Sequence, residues 1–396
     1  MPVPTPFHSR TSECCTSLLY KDWAGYYAVR SYDTYPEREY FAIRHAAGLI
    51  DVTPLFKCEV YGAGAAAFLS QIMVRNIAKL KVGQVAYCCW CDGRGKVIDD
   101  GTVARIDDTY FRVTSNWPSV AWLSRFSRGV EVTIEDSTHN IGALAIQGPY
   151  SREVAKIVSD IDVGELGFFW TTPSRIDGVD VHISRTGYTG DLGYEIWVDK
   201  KYAVKVWDAV MSAGKGYGLL PAGLDAMDIT RIEAGYLLNG VDYYNANHCI
   251  IESRKSTPYE LGFGWMVKLK RGSFVGRDAL VVEKSRGPQR LLVGLHIDWD
   301  EHAALFAEHG LPPEIASAAW RTSIPVYGES GEQIGYANSG TWSPILKKNL
   351  ALATVKAPFG KEGSKLRFEV TVEYERRTVT ATVVKKPFFD PERKRA

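Results

Sequence analysis

Apolar residues fall in short runs broken by turn residues over most of the chain, and only a few stretches carry a helical period. The run QVAYCCWCDGRGKVIDDGTVARIDDTYFRVTS, residues 84–115, is rich in β-branched and aromatic positions. The turns DGRG and Asp107–Asp108 divide it, which predicts successive strands joined as antiparallel hairpins. EREYFAIRHAAGLIDVT has apolar spacing suited to a helix, followed by a strand in FKCEVYG. GAGAAAFLSQIMV predicts a second helix, KYAVKVWDAVMSAG one that stops at Gly214, and AGLDAMDITRIEAG one that ends at Gly235. IGALAIQGPYSREVAKIVS reads as strand, turn and helix, and VDVHISRTGYTGDLGYEIWV as two strands around a glycine-rich loop. Strands with interspersed helices and no regular βαβ repeat predict an α+β fold built on antiparallel sheet. From about residue 290 only short strands and turns remain, an all-β module. The boundary falls in EKSRGPQR, giving domains 1–283 and 290–390.

Charge narrows the function classes. The formal net charge is +1, which gives no field to attract nucleic acid or an anionic membrane surface. No apolar run approaches the ~18 residues of a membrane span. MPVPTPFHSRTSECC lacks the charged start and apolar run of a signal peptide. The seven cysteines are an odd number, which points to reduced thiols and a cytoplasmic protein. Cys88 and Cys91 form a C-x-x-C, but no second pair or nearby histidines follow, so no metal site is expected.

GKVIDDGTVAR poses the sharpest question. Alternation along a strand sends Asp99 and Asp100 to opposite faces, with Asp100 beside Ile98, Thr102 and Ala104. A buried carboxylate costs several kcal/mol unless something pairs with it. In RTGYTGDLGYEIWV, three glycines allow a tight turn and close approach of backbone to a ligand. Glu195 then faces away from Tyr194 and Ile196. A carboxylate there suits a ring with adjacent N–H donors, such as a pterin or guanine, and equally suits an ordinary edge salt bridge. Asp228, Arg231 and Glu233 are spaced to cross-link one helix, and Arg231 is alternatively a ligand-carboxylate binder. His248 is an acid–base candidate or a loop bystander, and Trp265 stacks on a ring or simply packs. No Gly-x-Ser-x-Gly, no His-Glu-x-x-His and no full dinucleotide fingerprint occurs.

Taken together, RHAAGLIDVT, GKVIDDGTVAR, LAIQGPYSREV, RTGYTGDLGYEIWV, GLLPAGLDAMDITRIEAGYLLNGVDY, ELGFGWMVKL and IPVYGESGEQIGYANSGTWSP resemble, in order and spacing, the glycine-cleavage T-protein family. These are tetrahydrofolate-dependent aminomethyl and methyl transferases. The resemblance implies three subdomains around a central cavity, followed by a β-barrel. It implies that Glu195 holds the pterin and that Asp100, in preference to Asp99, faces the reacting edge of the folate or the substrate amine. Tyr87, Tyr188, Trp265 and Arg231 fall on cavity positions, and Ser115 or Asn116 on that of a folate-contacting asparagine.

The departures concern the substrate end. Met227 stands where T-proteins proper carry an arginine, DVTPLF replaces DVSHMG, and the YYNANHCIIESRK segment is longer. They favour a small methylated donor over a lipoyl carrier protein bearing an aminomethyl group. The implied chemistry is demethylation, with Asp100 and Tyr87 at the acceptor nitrogen. An O-methyl donor needs a proton source, for which His248 or Tyr243 is available. A sulfonium or quaternary ammonium donor needs only aromatic faces, such as Trp90 or Trp117. A glycine-cleavage aminomethyltransferase and a non-catalytic folate-binding module are the alternatives.

Overall fold

The computed structural model describes residues 1–396, whose strands form three open sheets and one closed barrel. A five-stranded antiparallel sheet runs in the order Val85–Cys91, Val97–Asp107, Tyr110–Ser115, Phe56–Tyr61, Thr133–Asp136. A six-stranded sheet runs Thr171–Ile176, Val179–Ser184, Gly193–Asp199, Ile141–Gln147, Ala47–Asp51, Leu219–Pro221. Its last pair is parallel. A small third sheet joins Val3–Pro4, Tyr26–Ser31 and Leu19–Trp23. The barrel closes through Arg290–Ile297, Lys348–Lys356, Gln333–Ser343, Ile324–Tyr327, Lys365–Val372 and Glu375–Val384. No helix is long and apolar enough to cross a membrane.

Two local readings change. The helix in EREYFAIRHAAGLIDVT stops at His45, and Ala47–Asp51 is an inner strand of the six-stranded sheet. Ala47, Leu49 and Ile50 are buried there on both faces, and a short apolar run of this kind has no periodicity that separates strand from helix. The all-β region also holds a helix, Trp299–Ala307, capped by Asp298, whose side chain accepts from the Glu301 N–H at 3.0 Å.

Helix Leu224–Glu233 runs between the sheets and is buried at nearly every position. Its end is tied to the barrel and to helix Glu37–His45 by charges. Glu233 accepts from Arg44 at 2.6 Å, from the Tyr40 hydroxyl at 2.6 Å and from Ser343 of the barrel at 2.5 Å. Asp191 holds Arg393 at 2.7 Å. Every member of this cluster that is out of water has a partner, as a buried charge requires.

Candidate active site

A cavity of about 410 Å³ opens where the three sheets and helix Leu224–Glu233 converge. Each element contributes to its wall: Trp23 from the small sheet, Asp100 from the five-stranded sheet, Glu195 from the six-stranded sheet and Met227 from the helix.

The partner of Asp100 is a pair of tyrosines. Cys89 lies opposite Asp100 across the hairpin, and Tyr87 opposite Thr102, so alternation puts the Tyr87 ring on the Asp100 face. Its hydroxyl donates to Asp100 Oδ2 at 2.6 Å. The Tyr243 hydroxyl donates to Oδ1. Burial pushes the Asp100 carboxyl above the usual aspartate range, while both phenols pull it back by favouring the ionised form. Both phenols are themselves held well above 10, chiefly by burial, and remain donors.

Asp99 turns to the other face and is fully buried. Asn239 Nδ2 donates to Oδ1 at 2.7 Å, as does the Asp100 N–H at 3.0 Å, and the Trp117 N–H donates to Oδ2 at 2.8 Å. Burial first, and the neighbouring Asp100 charge second, push the Asp99 carboxyl up to about 8. The Tyr243 hydroxyl, 3.5 Å from Asp99 Oδ1, therefore bridges the two acids.

Glu195 enters the cavity from Gly193–Asp199, while its neighbours Tyr194 and Ile196 pack in the core behind. Thr186 Oγ1 donates to Oε2 at 2.5 Å, the Ser184 hydroxyl also favours the ionised form, and no basic side chain pairs with the group. The edge-salt-bridge reading of Glu195 is thus excluded. Burial pushes its carboxyl up. The glycines of the preceding loop serve a protein side chain rather than a ligand. A Cβ on Gly187 would lie 2.1 Å from Gln147 Oε1, and one on Gly193 2.2 Å from Gln147 Nε2. Gln147 fills that space, accepting from Thr189 Oγ1 at 2.8 Å and donating to the Thr186 carbonyl at 3.3 Å.

Tyr188 lines the cavity, stacks on Tyr236 and donates to the Leu237 carbonyl. Ser115 and Asn116 line it together. The Ser115 hydroxyl donates to the Trp117 carbonyl at 2.8 Å, and Asn116 Nδ2 to the Asn239 carbonyl at 3.3 Å. Arg231 borders the cavity with its charge already matched, by Asp228 at 2.7 Å and Asp242 at 2.5 Å. The helix cross-link therefore forms between Asp228 and Arg231, whereas Glu233 turns to Arg44.

Two expected residues lie outside the cavity. Trp265 is 58% exposed, with the Arg75 guanidinium 5.7 Å from its ring. Its segment Gly264–Met266 is a surface turn that buries Met266 in its place. His248 is exposed in the loop after Asn245 and stacks on Trp117 at 4.9 Å, on the Asp99 side of the sheet. Trp90 and Trp117 lie on that side too, because Trp90 pairs with Asp99 across the hairpin. The cavity's own indoles are Trp23 and Trp197. Sequence reading missed Trp23, Gln147, Asn239 and Arg321. Trp23 ends the half-exposed strand LYKDW, Gln147 ends an apolar strand, and the last two sit in loops without a motif. Arg321 Nε reaches Asp228 Oδ2 at 2.7 Å from the segment between barrel strands Arg290–Ile297 and Ile324–Tyr327.

The GCVT N-terminal domain model matches residues 13–271, and the glycine cleavage T-protein C-terminal barrel domain model matches 290–390. The chain belongs to the glycine cleavage T-protein family. An aminomethyltransferase of Thermoanaerobacter sp. (strain X514) is 33% identical over 89% of this chain and 88% of its own length. The trimethylamine-oxide aldolase of Ruegeria pomeroyi is 35% identical over 100% of this chain and 48% of its own length. The crystal structure of the glycine cleavage system aminomethyltransferase T from Bartonella henselae superposes with a TM-score of 0.83. It covers 98% of this chain and 99% of its own at 23% identity, and shows the shared fold. As a member of this family the chain is a transferase, and the three sheets around a cavity followed by a closed barrel are the family's architecture.

Proposed function

We propose that this enzyme moves a methyl group from a small methylated donor to tetrahydrofolate, both held in the cavity between the three sheets. The observation that carries the reading is the pairing of two different carboxyls in one cavity. Glu195 is held by hydroxyls with no cation beside it, and Asp100 is clamped by two phenols. An unpaired carboxylate in a buried wall is costly unless a ligand supplies donors, and a pteridine edge with adjacent N–H groups fits that need. A cavity of about 410 Å³ is within the range of cofactor sites.

Reduced folate supplies a nucleophilic amine nitrogen that accepts the one-carbon unit. The protein's part is orientation and proton handling. Glu195 would hold the ring by accepting from its N–H donors. Asp100, raised by burial, would take the proton that the amine nitrogen loses on methylation and pass it to the departing demethylated heteroatom where that atom needs one. Tyr87 and Tyr243 hold that carboxyl in one orientation and donate to whichever oxygen carries the charge. Holding two reactants in place supplies roughly 7–11 kcal/mol of a barrier of this type.

Apolar side chains in the cavity wall, Trp23, Leu55, Trp197 and Met227, support a small methylated donor. So does the name of the Ruegeria relative that aligns along the whole chain. A second reading, transfer of an aminomethyl group from a lipoyl carrier protein, is favoured by the relatives named aminomethyltransferase. Incubating the enzyme with tetrahydrofolate and a panel of O-, S- and N-methyl donors separates the two. The proposal expects 5-methyltetrahydrofolate. Formation of 5,10-methylenetetrahydrofolate only with aminomethylated lipoyl carrier overturns it.

A further inference from the structure

The loop that carries the Glu195 clamp is itself held by the tail that follows the last barrel strand, Glu375–Val384. The tail is anchored first. The Phe388 and Phe389 N–H groups both donate to the Glu233 carbonyl, at 3.0 and 2.8 Å, and the Phe389 ring lies 4.3 Å from the Arg44 guanidinium. From this anchor the tail meets the glycine-rich loop 185–193 at both ends. At the loop's start, Arg185 Nη2 donates to the Lys394 carbonyl at 3.4 Å. At its far end, Arg393 makes a two-point pair with Asp191, Nε to Oδ1 at 2.7 Å and Nη2 to Oδ2 at 2.8 Å. Between them the Lys394 ammonium sits 5.0 Å from the Tyr236 ring, which stacks on Tyr188 of the loop.

Of these contacts, the Arg393–Asp191 pair carries the most. The Asp191 side chain is fully buried, whereas that of Arg393 is 40% exposed. The other cation near Asp191 is Arg44, at 3.5 Å, and its closer bonds, at 2.6 and 2.8 Å, go to Glu233. A buried carboxylate that loses a bidentate guanidinium is left poorly compensated and moves toward water. The loop has little stiffness to resist that movement. It contains Gly187, Gly190 and Gly193, and Gly190 sits at φ +74°. Thr186, which donates to Glu195, lies five residues before Asp191 on the same loop. We infer that Arg393 is a positioning residue for the cavity: by pinning Asp191 it fixes loop 185–193, and through Thr186 it sets where the Glu195 carboxyl stands. The functional half of this inference rests on Glu195 being the folate anchor.

Amide hydrogen exchange and anaerobic calorimetry with tetrahydrofolate, both on the full chain, test it in Arg393→Gln. Arg377→Gln, which breaks a barrel pair to Glu308 at 3.0 Å, is the control for loss of a surface charge. Arg393→Gln is expected to speed exchange of the 186–193 amides about ten-fold and to leave barrel strand Lys348–Lys356 unchanged. It also weakens tetrahydrofolate about ten-fold, and Arg393→Lys, which keeps the charge but not the two-point geometry, falls between. Arg377→Gln does neither. In a Glu195→Gln background, Arg393→Gln costs no more than about two-fold in affinity, because the group it positions is gone. Unchanged loop exchange overturns the inference whether or not folate binds. Exchange that speeds alike in loop and barrel overturns it as well, since the loss is then global. Faster loop exchange with wild-type affinity, or equal weakening in both backgrounds, overturns the positioning role. A wild type that binds no tetrahydrofolate overturns the folate reading, and the exchange arm then decides alone whether Arg393 holds the loop.

Discussion

Tyr87 donates to Asp100 Oδ2 at 2.6 Å from the neighbouring strand, and this bond favours the ionised carboxylate against a burial cost that opposes it. Tyr87→Phe removes the donor and leaves the burial. The Asp100 carboxyl then climbs further, so the acid limb of the pH profile for transfer moves to higher pH. At neutral pH kcat/KM falls about ten-fold. A profile whose acid limb stays in place in the variant would show that Tyr87 does not tune this acid.

His248 and Trp265 lie outside the cavity, one stacked on Trp117 and the other exposed beside Arg75. His248→Ala and Trp265→Ala are each expected to leave transfer rate and folate affinity within about two-fold of wild type, as surface substitutions do. Loss of turnover in His248→Ala would return that residue to the chemistry.

Strand alternation alone places Asp99 and Asp100 on opposite faces, and the hairpins around them follow from turn residues and β-branched runs. Which face meets the cavity is not readable from period alone, since neither face of this strand is open to bulk solvent before Asp107. The resemblance to a family supplied Asp100 and Glu195. It misplaced Trp265 because a turn of three residues decides whether an indole points in or out, and no periodicity governs a turn. The small N-terminal sheet brings Trp23 to the cavity from far along the chain. Contacts of that range leave no local signature.

Burial pushes the Asp99 carboxyl up to about 8 in the fold, against about 3.9 in an unfolded chain. Between those values the folded state keeps a proton that the unfolded state gives up, so folding is progressively disfavoured as pH rises through this window. Asp100, Glu195, Glu39 and Asp51 are raised as well and act in the same direction. Urea midpoints are therefore expected to fall between about pH 5 and pH 8, and less steeply in Asp99→Asn. A midpoint that rises over this range would contradict the assignment.

Gly187 leaves room for Gln147, whose Oε1 lies 2.1 Å from where a Cβ would stand. Gln147 is fully buried and anchored by Thr189 and the Thr186 carbonyl, so it cannot swing aside. Gly187→Ala is expected to lose about 1–3 kcal/mol by denaturant unfolding, the cost of overpacking a filled site. The variant also displaces Thr186 from Glu195, so folate affinity falls with it. Unchanged stability would mean the loop has slack that the packing does not show.

The central claim is that Glu195, held by Thr186 with no cation beside it in the wall of the cavity, is the anchor for a reduced pteridine. Anaerobic calorimetric titration of tetrahydrofolate into wild type and Glu195→Gln tests it most directly. Saturable one-to-one binding is expected in the wild type, weakened by at least about 2 kcal/mol in the variant through loss of charge-assisted hydrogen bonds. Equal affinity in the two proteins, or no binding to the wild type, would contradict the account.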